Sequence, residues 1–296
     1  MKKRIYYFLI AGLVVLATAG CRNPLDRKQK NMVKKVYINK DKLEKIWVTN
    51  PALLIPESVL YDSQRNVIYV SNINGKPSEK DGNGFISLIS PDGRVVERKW
   101  VIGLDAPKGL GIRGDKLYVS DIQSLVEISI PERKILNRYK DSLAVFLNDV
   151  AVDADGNVYV SDMGGSAVYR LRNGVFLKWI HDKRLNGPNG LYVEDNKLLA
   201  GLKDRIVSID IQSGKISDYI LQTGSIDGLE GDGCGNYLIS DWTGHVYLVS
   251  RGKKKIILLN TTPIKMQAAD INFVKSSAML LVPTFGNNRV VAYRYK

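Results

Sequence analysis

Histidine and cysteine are almost missing from this chain: its 296 residues hold only His181, His245, Cys21 and Cys234. With so little imidazole, and with no G-x-S-x-G elbow, a Ser-His-Asp hydrolase is not expected. His181, in WIHDKRLNG, precedes the Asn189 strand by eight residues and reads either as a residue on the mouth of the channel or, more commonly for such a His, as an exposed loop residue. Acidic residues are also short, 30 against 43 Lys and Arg, so the formal charge is +13. Long apolar runs are absent but for Ile5 to Ala17, thirteen residues, too short for an ordinary spanning helix. No helical period appears in the rest of the chain, although 45% of its residues are hydrophobic and can supply a sizeable core.

The short apolar run follows Met1-Lys2-Lys3-Arg4 and precedes Thr18-Ala19-Gly20-Cys21, the layout of a secretory signal over residues 1–20. Its end resembles the bacterial lipobox, with Thr18 where Leu is commonest. The resemblance implies a lipidated Cys21 at the mature N-terminus; ordinary cleavage leaving a free Cys is the alternative. With Cys21 acylated, Cys234 has no partner for a disulfide within the chain. Residues 22–45 carry nine Lys or Arg against three acids. They read either as a tether near anionic head groups or as a solvated linker. An exported protein on a bacterial membrane, outside the cytoplasm, has little use for nucleic acid despite its charge. A monomer is expected, with residues 21–46 as anchor and tether and 47–296 as the folded domain.

What the chain has in plenty is repetition. VIYVSN ends at Asn72, KLYVSD at Asp121, VYVSD at Asp162 and NYLISD at Asp241, and weaker copies end at Leu202 and Thr284. The steps are 49, 41, 40, 39 and 43 residues. Around each phrase the pattern alternates as strands do: DVAVDADGNVYVSD holds two strands and a turn at Asp155-Gly156-Asn157, and GSAVYRLRNGVFLKW adds two more about Asn173-Gly174. Four short antiparallel strands per unit, six times over, predict an all-β, six-bladed β-propeller. RVVAYRYK at the end reads as a third strand only, so KKVYINK or KIWVTN near the domain start is expected to complete the last blade and leave no open edge.

Thirteen to fifteen residues before each anchor stand Glu57, Lys108, Asn148, Asn189, Asp227 and Asp270. In a propeller the start of the inner strand and the end of the second lie on one face, so these side chains are expected to converge at one mouth of the channel. All but Lys108 carry oxygen, which suits a divalent cation, Ca²⁺ before Mg²⁺, Zn²⁺ or Mn²⁺. Asx turns account for one or two such positions but not for a ring, and Glu57 is no turn former. Asp149, Asp121, Asp162, Asp241 and Trp242 are expected near the same face, the aspartates mainly as turn caps.

These residues and contexts (PESVLYD, LNDVAVD, GPNGLYV, SIDGLEGDG) resemble the regucalcin and gluconolactonase family, and more distantly diisopropyl fluorophosphatase and the paraoxonases. The resemblance spans residues 51–296; the blades around Asp121 and Asp162 also look like NHL repeats. It implies a metal held by Glu57, Asn148, Asn189 and Asp227, with Asp227 also the catalytic base. The implied activity is metal-dependent hydrolysis of lactones or related esters. Lys108 departs from that pattern. It is expected either to meet an anionic group of a small-molecule substrate, with Asp270 and Asp149 beside it, or to pair with Asp270 or Glu57. Two other activities stay open: a non-catalytic, lipid-anchored propeller binding a sugar, peptide or envelope protein, and a lyase on the same site.

Overall fold

The computed structural model describes residues 35–296. Signal peptide, Cys21 and residues 22–34 of the tether lie outside the described residues. Six antiparallel sheets follow one another around a ring, so the chain is a six-bladed β-propeller. The inner strands are Pro56–Asp62, Pro107–Arg113, Leu147–Val152, Leu191–Glu194, Leu229–Gly231 and Asn272–Val274, for blades one to six. The repeated phrase is always the second strand: Val67–Asn72, Lys116–Asp121, Val158–Asp162, Lys197–Gly201, Asn236–Asp241 and Met279–Pro283.

Burial explains the spelling of these strands. Each middle strand has a neighbouring blade on both faces, so Val158–Asp162 and Ser124–Ser129 are buried throughout. Outer strands keep one wet face; Lys134–Lys140 and Val175–His181 are mostly exposed or half-buried. The core is accordingly six large hydrophobic clusters, one at each blade–blade interface, such as Tyr118, Leu125, Leu147 and Tyr169 between blades two and three, and a small seventh of Ile73, Ala106 and Ile122. The Asn173-Gly174 hairpin has φ of 51° and 79°, the paired positive values that a tight hairpin demands.

Closure uses both candidate segments. Leu43–Val48 pairs with Val290–Tyr295 and completes blade six, in register from Leu43↔Tyr295 to Val48↔Val291. Tyr37–Ile38 does something not expected: it adds a fifth strand to blade five, with Tyr37 opposite Asn260. The edge of Ile256–Asn260 is thereby covered, and Val36 and Ile38 pack on the core between blades five and six. Residue 47, the boundary expected from sequence, therefore falls inside the closing strand, and the folded unit takes in residues assigned to the tether. Among the described residues no helix is long and apolar enough to cross a membrane.

Candidate active site

The repeated Ser-Asp ending is a structural device. Ser71, Ser161 and Ser240 accept the N–H groups of Ser58, Asp149 and Gly228, at 2.9, 2.9 and 2.8 Å. In blades one and three these N–H groups lie within bulges, Pro56 to Val59 and Leu147 to Val150, and blade two is bulged from Pro107 to Leu110. A bulge turns its extra residue off the pleat and re-aims the side chain. The residues so placed are Glu57, Lys108 and Asn148. The aspartate that ends the phrase in blades two, three and five caps a loop: Asp162 accepts from the N–H groups of Val145, Phe146 and Gly165, and Asp121 from Asp105 and Ala106. Asp241 caps its own hairpin at Gly244 and His245, and His245 packs against it. His181 is exposed at the end of an outer strand, away from the cavity.

A cavity of about 510 Å³ opens at this face, and Glu57, Lys108, Asn148, Asn189 and Asp227 all line it. The four residues expected to hold a metal thus share one pocket with Lys108. Asn189 Nδ2 donates to Asp227 Oδ1 at 2.6 Å. The other oxygen, Asp227 Oδ2, and Glu57 Oε2 are buried with no hydrogen-bond partner. Burial pushes the Asp227 carboxyl up to about 7 against the pull of Asn189, and raises Glu57 well above the usual range, with the Asp227 charge adding to it. Orphaned carboxylate oxygens beside two amide side chains are what a hard cation would satisfy. Among the described residues no three His, Cys, Asp or Glu side chains form a metal cluster, so amides would have to complete the set.

Lys108 is 1% exposed. Its ammonium donates to the carbonyls of Pro77 and Ala106 at 2.9 and 2.8 Å and lies 4.5 Å from the centroid of Phe146. Neither Asp270 nor Glu57 is its hydrogen-bond partner; Glu57 faces it only through space and opposes the desolvation that lowers its pKa. By holding Pro77, Lys108 draws the long hairpin of blade one, residues 73–83, over the cavity.

Asp149 and Asp270 do not line this cavity. They lie among the inner strands, where neighbouring blades come close. A Cβ at Gly109 would stand 2.5 Å from the Asp149 backbone, and one at Gly228 would stand 2.5 Å from Ile271 N. Asp149 accepts from the N–H groups of Leu191 and Val150, both at 2.6 Å, and Ser58 donates to Asp270 at 2.5 Å. Burial raises both carboxyls, Asp149 to about 7, and the Asp149 charge raises Asp270 further.

Sequence reading missed most of the cavity wall. Ile73, Met163, Lys203, Trp242 and Phe285 line it. Each is the residue directly after the repeated phrase, at the tip of the hairpin between the second and third strands. Only Trp242 had been noticed, although the repeat itself marks the position. Phe146 and Ile226 complete the apolar wall from the loops that enter blades three and five.

No family model matches this chain, and no curated protein matches it. Solved structures do. A gluconolactonase from Xanthomonas campestris superposes with a TM-score of 0.64 at 15% identity, over 86% of this chain and 89% of that one. A streptogramin B lyase gives 0.61 at 12%, over 88% and 98%. An inactive virginiamycin B lyase from Staphylococcus aureus, solved with quinupristin, gives 0.58 at 15%, over 88% and 99%. These likenesses show the propeller fold. At such identities they carry no residue's role across.

Proposed function

We propose that the protein is a divalent-metal-dependent hydrolase of lactones or related esters, held at a bacterial membrane through a lipid on Cys21. The observation that carries the catalytic reading is the pair of unpartnered buried oxygens, Glu57 Oε2 and Asp227 Oδ2, at a cavity that Asn148 and Asn189 also line. Glu57, Asn148, Asn189 and Asp227 would hold the ion, with Ca²⁺ favoured by the all-oxygen set. A bound ion there supplies Lewis-acid polarisation of the ester carbonyl. Asn189 orients Asp227 by donating to Oδ1, and the Asp227 carboxylate takes a proton from water as that water adds to the carbonyl carbon. The ring C–O bond then breaks, the leaving oxygen is protonated, and a hydroxy acid departs. Lys108, whose positive charge faces Glu57, tempers the build-up of negative charge in the pocket.

The test is metal analysis of the purified protein followed by a lactone panel. Bound Ca²⁺ with hydrolysis that Asp227→Asn lowers by roughly a hundredfold or more supports the reading, since general-base catalysis contributes about 10²–10⁴ in rate. A metal-free protein inert towards every lactone would instead favour the binding propeller, in which Lys108 alone offsets the acids.

A further inference from the structure

The chemistry proposed above needs only the polar floor of the cavity; the wall sets what else can enter. A sugar lactone presents a hydroxyl on nearly every ring carbon, and each loses water on entry unless the protein replaces its hydrogen bonds. The wall offers few replacements. Ile73, Phe146, Met163, Ile226, Trp242 and Phe285 close it on several sides. Phe285 and Trp242 meet edge to face with centroids 5.4 Å apart, so they stand as one aromatic unit contributed by blades five and six. Met163 hangs directly over the floor, its sulfur 3.9 Å from Asn148 Nδ2. Trp242 and Met163 are 48% and 39% exposed, so apolar surface is open to water at the rim of the pocket. The polar side chains of the wall above the floor are Lys203 and Ser225.

We infer that the substrate is a lactone or ester with an apolar body, an alkyl or aryl chain laid against Trp242, Phe285 and Met163, and not a polyhydroxylated sugar lactone. The inference rests on the hydrolase reading for the word substrate, but the apolar recognition stands on the wall alone. Trp242 and Phe285 are then the specificity-determining residues. The repeat places them one residue past each phrase; Phe285 also packs on the small cluster of Ile73, Ala106 and Ile122, whereas Trp242 is half exposed.

The experiment uses the full chain with Ca²⁺ and two probe series. The first compares glucono-δ-lactone with δ-lactones bearing alkyl chains of increasing length. The second uses the matching alkyl δ-lactams, which resist hydrolysis, with binding followed by calorimetry. Expected are kcat/KM and lactam affinity that rise by about fourfold per methylene until the cavity is filled. Both slopes should flatten in Trp242→Ser and in Phe285→Ser. Glucono-δ-lactone hydrolysed faster than the alkyl series would overturn the inference and leave the hydrolase reading intact. Should no lactone react, the hydrolase reading fails and the lactams decide: chain-length-dependent binding lost in Trp242→Ser upholds the apolar site, and binding indifferent to chain length removes it.

Discussion

Adding Ca²⁺ to metal-stripped protein should raise its melting temperature, and by more in mild alkali than in acid. In the stripped protein burial disfavours the Asp227 charge and pushes its carboxyl up to about 7, against 3.8 for a free aspartate. The native state therefore keeps a proton that the unfolded chain has lost. A raised carboxyl of this kind makes stability fall as pH climbs from about 4 to about 7, and leaves it level above that. Three pH units correspond to an upper bound of about 4 kcal/mol for this group. Glu57, Asp149 and Asp270 are raised as well and act in the same direction. A cation displaces the proton and satisfies Asp227 Oδ2 and Glu57 Oε2, so it relieves the cost where that cost is largest. At a hundred times its Kd it adds about 2.7 kcal/mol. For a domain of this size that is roughly 5–11 °C. The assay is thermal unfolding with Ca²⁺ or with chelator, at about pH 5 and about pH 8, for wild type and Asp227→Asn. The expected pattern is a large shift at the higher pH, a small one at the lower, and little response in the variant. A full Ca²⁺ shift in Asp227→Asn would refute the argument, as would identical curves with Ca²⁺ and chelator at the higher pH.

Asp162→Ala removes the acceptor of three backbone N–H groups, and each donor left unsatisfied costs about 1–3 kcal/mol. Gly165 N–H keeps the Asp162 carbonyl as an acceptor, so thermal unfolding should show a fall of at least roughly 4 °C with the Ca²⁺ response retained, because the residue caps a loop and holds no metal. Lys108→Met should lower the melting temperature by unpairing the carbonyls of Pro77 and Ala106, yet tighten Ca²⁺ binding in a chelator competition, since it removes a positive charge facing Glu57. Weaker Ca²⁺ binding would count against that electrostatic account. Cys21→Ser should move the protein from the membrane fraction to the soluble fraction; wild type already soluble without detergent would end the anchor proposal.

The sequence alone carried the architecture, because a propeller is built from local units. Each blade needs a two-residue period and tight turns such as Asn173-Gly174, and three of the six add a serine–aspartate ending; all of these are short-range patterns. The ring of Glu57, Lys108, Asn148, Asn189, Asp227 and Asp270 was legible for the same reason: a fixed offset from a repeated strand is a fixed place on a blade. Tertiary structure decided what depends on distances between blades. It divided the ring, leaving five members on the cavity wall and Asp270, with Asp149, among the crowded inner strands. It bound Lys108 to two carbonyls and an aromatic face, because the nearest acceptors came from the hairpin of another blade and from its own entering loop. It gave Tyr37–Ile38 to blade five and Leu43–Val48 to blade six, a choice between two segments that are both strand-like in sequence. Period and spacing are properties of one segment, so a sequence displays them; proximity and desolvation arise only when separate segments meet.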